Sequence, residues 1–188
     1  MKLREKNPAL ILIDVQKAFL EDDYWGGNRN NKNAELICGK ILEKWRKLNL
    51  PVFHIRHSST NPNSKLHKTS KGFEFNEFVY PKEGEPVITK TVNSAFIGTD
   101  LKELIDQHNI KTLIIVGLTT NHCVSTTARM AGNYGYETYV ISDATATFDR
   151  IGVNGEKFDS ETLHQTSLAN INEEFATVCT YGKLIEDI

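Results

Sequence analysis

Short apolar runs, each closed by a polar or small residue, alternate along the chain with stretches of helical period. Ala9 to Ile13 and Leu113 to Val116 contain no polar position, the pattern of strands covered on both faces. Val52 to Arg56, Val87 to Thr89, Tyr136 to Ser142 and Phe175 to Thr180 predict further strands. After Asn33, the residues Leu36, Ile37, Ile41, Leu42, Trp45 and Leu48 recur at helical spacing. Leu101, Leu104 and Ile105 do so after the capping candidates Thr99 and Asp100, and Leu163, Leu168 and Ile171 after Asp159 and Ser160. The end of the chain, from Tyr181, reads as a tail or a short helix. Strand and helix alternate without repeat or linker. The chain therefore reads as a single α/β domain over residues 1–188 with a mostly parallel sheet.

Thr112 to Phe148 is the most informative stretch. It reads as strand, turn, helix and strand, the helix carrying the small residues Thr127, Ala128, Ala131 and Gly132. Cys123 falls near the start of that helix. A thiol there is expected to ionise more easily than a free one, through the unpaired N–H groups and the helix dipole. The competing reading makes Cys123 a small buried apolar residue.

Charge and cysteine content narrow the function classes. The net charge is -2 over 188 residues, and no basic block stands out, so nucleic acid and membrane surfaces are not expected partners. Asp14 interrupts the first apolar run, so that run reads as a strand rather than a targeting segment. Cys38, Cys123 and Cys179 are odd in number and widely spaced, which fits free thiols in a reducing cytoplasm.

Asp14, Lys90 and Cys123 each follow the carboxyl end of an expected strand. In a doubly wound sheet those ends share one edge, where ligands bind. An aspartate beside a thiol can take its proton, a lysine can stabilise both anions, and the set suits nucleophilic attack on a carbonyl carbon.

At these residues the chain resembles the isochorismatase-like cysteine hydrolases. The matching pieces are LILIDVQKAFL at Leu10–Leu20, ITKTVNSAFIGTDL at Ile88–Leu101 and VGLTTNHCVSTTARMAGNYGY at Val116–Tyr136. The resemblance implies a three-layer Rossmann-like fold, a parallel six-stranded sheet with helices on both faces, assembled as a homodimer or homotetramer. It implies a catalytic triad of Asp14, Lys90 and Cys123. It also implies a cis peptide between Leu118 and Thr119 that turns the Thr119 N–H toward an oxyanion. Because Cys123 is present, the chain looks like the amide-cleaving branch, working on a small-molecule amide through a thioacyl enzyme. The metal-binding members carry an Asp-x-His element that VFHIRHSSTNPNSKLH lacks, so His54, His57 and His67 are expected to hold no metal, and no cofactor is expected. Gln16, Phe19, Trp25, Phe96 and His57 are the candidates for the substrate side, Gln16 with a hydrogen bond to Asp14 as its role. Two other readings remain open: an isochorismatase-type hydrolase acting on a non-amide, and a non-catalytic oligomeric binding protein. Phe73, Phe75, Phe78, Val79 and Tyr80, in the long polar stretch after His57, carry more apolar area than a free loop exposes. Either a second subunit or the domain itself must cover them.

Overall fold

A computed structural model describes residues 2–188. In chain order the elements are β1 (Ala9–Ile13), α1 (Asp22–Trp25), α2 (Ala34–Lys47), β2 (Val52–His57), β3 (Val87–Lys90), α3 (Leu101–Gln107) and β4 (Thr112–Leu118). There follow α4 (Ser125–Asn133), β5 (Glu137–Ala146), β6 (Arg150–Ile151), β7 (Lys157–Phe158), α5 (Ser160–Ala169), β8 (Thr177–Cys179) and α6 (Tyr181–Asp187). Six strands form one sheet in the order β3-β2-β1-β4-β5-β8, with every pairing parallel. The β6–β7 pair is a separate antiparallel hairpin that the hydrophobic pattern did not predict, since two-residue strands have no period to read.

The unbroken apolar runs became the central strands, and all residues of β1 and β4 are buried. Their side chains alternate between two cores. Leu10, Leu12, Ile114 and Val116 pack with Ile41, Leu42 and Trp45 of α2 on one face. Ile11, Ile13, Leu113 and Ile115 pack with Leu101, Ile105, Ala128 and Ala131 on the other. Trp45 is fully buried, and its indole N–H donates to Pro8 O at 2.9 Å, so the polar edge of the ring is satisfied.

Two local features shape the sheet edge that carries the site. Gly117, at φ 118°, lies against β1 so closely that a Cβ there would sit 2.0 Å from Ile13 O. Only glycine allows that approach. Next to it the Leu118–Thr119 peptide is cis, and Asp14 stands in the left-handed region at φ 50°. Register between β4 and β5 then slips, from Ile115↔Val140 to Gly117↔Thr145. Asn31 fills the resulting bulge, its amide donating to Ser142 O at 3.0 Å and Thr145 O at 2.8 Å. Extra residues accommodated this way carry β5 on to Ala146, past the expected end at Ser142.

The segment between β2 and β3 folds back on its own domain over much of its length. Phe75 and Val79 are buried, and Phe73 lies beneath the Arg56 guanidinium at 4.5 Å. Phe78 and Tyr80 stay exposed, at 47% and 66%. Among the described residues no helix is long and apolar enough to cross a membrane.

Candidate active site

The strand order reverses between β1 and β4, because the chain winds outward from β1 through β2 to β3 and then returns to the other side. Such a switch point opens a crevice at the carboxyl ends of the strands. Asp14 leaves β1 there, and the turn Thr120–Val124, a single π-type turn, leaves β4. His57 and Lys90 end β2 and β3 and are register partners.

Their side chains meet. Lys90 Nζ donates to Asp14 Oδ2 at 2.6 Å and to Cys123 Sγ at 3.4 Å, and lies 3.2 Å from His57 Nδ1. An ammonium has three protons and no acceptor, so each proton has one partner here, and His57 Nδ1 must be the acceptor. Lys90 and Asp14 are 1% and 0% exposed, which makes this a buried ion pair whose disruption is costly. The other carboxylate oxygen, Asp14 Oδ1, accepts no hydrogen bond among the described residues. Ligand atoms of Asp14, His57 and Cys123 all lie within 4.8 Å of one another.

The electrostatics of Cys123 correct the expectation of an acidified thiol. Burial, and then the charge of Asp14, push it up to about 12 despite the opposing pull of Lys90. The helix dipole gives little help, because α4 begins only at Ser125, after the wider turn. At neutral pH the resting residue is a thiol. His57 is held below the usual imidazole range by burial and by the Lys90 charge, so it is neutral and free to accept from Lys90.

A pocket of about 230 Å³ opens onto this cluster. Phe19, Trp25, His57 and Thr119 line it beside Asp14 and Cys123. The Phe19 and Trp25 rings pack 4.8 Å apart, and the Trp25 indole donates to Ala18 O at 2.8 Å, which fixes the wall. Arg29, clamped on Glu35 at 2.8 Å, holds Phe19 through its carbonyl at 3.2 Å. Leu118 is fully buried and takes no part in the lining.

Two expected substrate-side residues sit elsewhere. The Gln16 side chain does not bond to the Asp14 carboxylate; only its backbone N–H donates to Asp14 O, at 2.8 Å. The side-chain amide donates to His57 O and Phe73 O and accepts from His57 N, tying the end of β2 to the long segment. Phe96 stacks on Tyr136 at 6.2 Å and meets Tyr134 at 5.4 Å, a cluster at the turn between α4 and β5 rather than a pocket wall. Asn121 accepts from Thr147 Oγ1 at 2.5 Å. Sequence reasoning missed Ser59, Ser64, Leu66, Asn93, His122 and Arg150, which complete the lining. His122 lies in the turn after β4 and Arg150 in the two-residue β6; the other four come from irregular segments, and none of the six has a periodicity that marks which side chains turn inward.

His54, His57 and His67 do not converge. His54 pairs with Glu85 at 2.8 Å, His67 with Thr69 at 2.8 Å, and His57 faces Lys90. This does not fit a metal site built from the three histidines. The Asp14–His57–Cys123 donors already surround an ammonium, whose charge opposes a second cation.

Residues 8–182 match the family profile described as "Isochorismatase domain". The isochorismatase family protein YrdC of Bacillus subtilis (strain 168) is 50% identical over 97% of this chain and 97% of its own. A crystal structure from Chromobacterium violaceum ATCC 12472, assigned to the isochorismatase family hydrolases, superposes with a TM-score of 0.94. It shares 37% identity and covers 100% of this chain and 96% of that one. Nicotinamidase 3 of Arabidopsis thaliana is 28% identical over 95% of this chain and 87% of its own.

Proposed function

This chain belongs to the isochorismatase family of hydrolases, and we propose that within it the protein is a cysteine amidohydrolase that cleaves the C–N bond of a small amide. The observation that carries this reading is the shared ammonium of Lys90, which touches both the Asp14 carboxylate and the Cys123 sulfur at the pocket wall. Kinship with a nicotinamidase supports amide chemistry.

In this mechanism Cys123 Sγ attacks the carbonyl carbon while its proton passes to Asp14. Asp14 Oδ1, which has no other partner among the described residues, is the receiving atom. Because the resting group is a thiol, proton removal accompanies attack rather than preceding it. The backbone N–H groups of Thr119 and Cys123 hold the oxyanion. Asp14 returns the proton to the leaving nitrogen as the C–N bond breaks, and ammonia or an amine departs. Water then attacks the thioester, Asp14 takes a proton from it, and collapse releases the acid and restores the thiol. Lys90 holds the Asp14 carboxylate in place at 2.6 Å and offsets the charge that develops on sulfur.

The protein acts in a reducing cytoplasm, which its three free cysteines suit, and it works as a homodimer or homotetramer. Exposed Phe78 and Tyr80 support the assembly. Sedimentation equilibrium at micromolar concentration tests it, and an active species at the 21.3 kDa chain mass would refute it.

Ammonia release from purified protein across a panel of small amides tests the activity. Turnover of at least one amide, absent in Cys123→Ala, is expected. Silence across the panel, or undiminished turnover in Cys123→Ala, would reject the reading.

A further inference from the structure

Arg150 opens β6 and lines the same pocket as Asp14 and Cys123. Its Nε is buried and has no hydrogen-bond partner among the described residues, and Nη2 reaches only His122 Nδ1, at 3.5 Å. By contrast, Arg29 and Arg46 each clamp a carboxylate, Glu35 and Glu85 respectively. The acid next to Arg150 in the chain is already engaged. Asp149 pairs with Lys157 at 2.7 Å and accepts from Ser160 N and Asn28.

The charges around the pocket therefore do not cancel. Asp14 is matched by Lys90. His57 and His122 are both held below the usual imidazole range, first by burial and then by a neighbouring cation, Lys90 for one and Arg150 for the other. Both are neutral at pH 7, and the Arg150 guanidinium remains as one uncompensated positive charge. A half-desolvated guanidinium with an open N–H gains most from a planar anion that accepts two parallel hydrogen bonds.

We propose that Arg150 is the specificity-determining residue of this pocket and that the substrate is a small amide that also carries a carboxylate. The substrate class rests on the amidohydrolase reading above; the anion site itself does not. The roughly 230 Å³ available holds the carboxylate and the scissile carbonyl only within one short molecule.

Two measurements test this. The first is alkylation of Cys123 at pH 9 by iodoacetate and by iodoacetamide, which differ in charge at nearly equal size, read by peptide mass mapping. The ratio of the two rates at Cys123 is expected to exceed that of free cysteine at least about fivefold. It should fall to the free value in Arg150→Gln and be partly kept in Arg150→Lys. A wild-type ratio no higher than that of free cysteine overturns the anion site, and this arm needs no variant to fold.

The second compares ammonia release from malonamate and succinamate with that from 3-methylbutanamide and 4-methylpentanamide, where an isopropyl group replaces the carboxylate. The charged amides are expected to win at least about tenfold in kcat/KM, a preference that Arg150→Gln erases mainly through KM. Equal or better turnover of the uncharged pair overturns the proposal and leaves the amidohydrolase intact. An intact alkylation ratio with no ammonia from any amide keeps the anion site and overturns the amidohydrolase reading.

Discussion

His54 and His57 lie three residues apart on β2, point to opposite faces of the sheet, and belong to two clusters built from similar groups. Around His54 the Glu85 carboxylate is fully engaged, although the Nδ1 of the histidine is buried without a partner among the described residues. His54 Nε2 meets Glu85 Oε2 at 2.8 Å, Arg46 grips the same carboxylate with Nε and Nη2, and Lys82 N donates to it at 2.9 Å. Burial alone would raise the Glu85 carboxyl, but the hydrogen bonds from Arg46, the Lys82 backbone and His54 hold it down at about 2. Around His57 the set is open. Lys90 is saturated, yet Asp14 Oδ1 has no partner among the described residues and the Cys123 thiol borders a cavity. Groups that satisfy one another hold chain segments together. Groups that leave an acceptor free at a pocket are able to move a proton.

Cys123→Ala separates the two clusters most sharply. It is expected to lower kcat at least about 10⁴-fold, equivalent to about 5.5 kcal/mol, while urea unfolding shifts by no more than about 1 kcal/mol. Measurable turnover above a hundredth of wild type would remove the distinction.

The raised thiol leads to the next expectation. Alkylation of Cys123 by iodoacetamide should climb about tenfold per pH unit, roughly a thousandfold from pH 7 to pH 10, because the group sits at about 12. A plateau between pH 6 and pH 8 would mean that the site acidifies its cysteine, contrary to the geometry.

Lys90→Met attacks the open cluster from its structural side. It leaves Asp14 buried and unpaired, which costs about 3–5 kcal/mol at pH 7 by urea unfolding, with activity lost as well. Asp14→Asn combined with Lys90→Met should recover part of that stability, since no uncompensated charge remains. Equal destabilisation of the single and double variants would contradict the ion-pair account.

Glu85→Gln probes the His54 cluster, and its effect is the smallest. Because the folded carboxyl is depressed, its contribution is fully present above the unfolded value of 4.5 and is lost as pH falls toward about 2. Wild type should lead the variant by about 1–2 kcal/mol at pH 7, after allowance for solvent screening, and converge with it in acid, with turnover unchanged. A gap that persists at pH 2, or a loss of activity, would show that the clusters are coupled.

Much of this molecule was legible before folding. Ala9–Ile13 and Leu113–Val116 announce central strands because a strand buried on both faces has no polar position to alternate with. From strand ends alone, Asp14, Lys90 and Cys123 fall on one edge, since parallel strands in a doubly wound sheet must all end there. Gln16 and Phe96 were misplaced because proximity in sequence to Asp14 and Lys90 says nothing about rotamer or face. Arg150, Asn93 and Ser64 gave no signal, as they lie in segments whose direction is set by what they pack against.

The sequence by itself determined the succession of the six sheet strands, their parallel arrangement and the three residues at the sheet edge, because steric preference and the period of burial act between near neighbours. Only the tertiary structure decided the protonation of Cys123, the open oxygen of Asp14 and the unpaired charge of Arg150. Each depends on desolvation and on partners far away in the chain, and neither the dielectric of a site nor the identity of its distant neighbours is encoded in a local stretch.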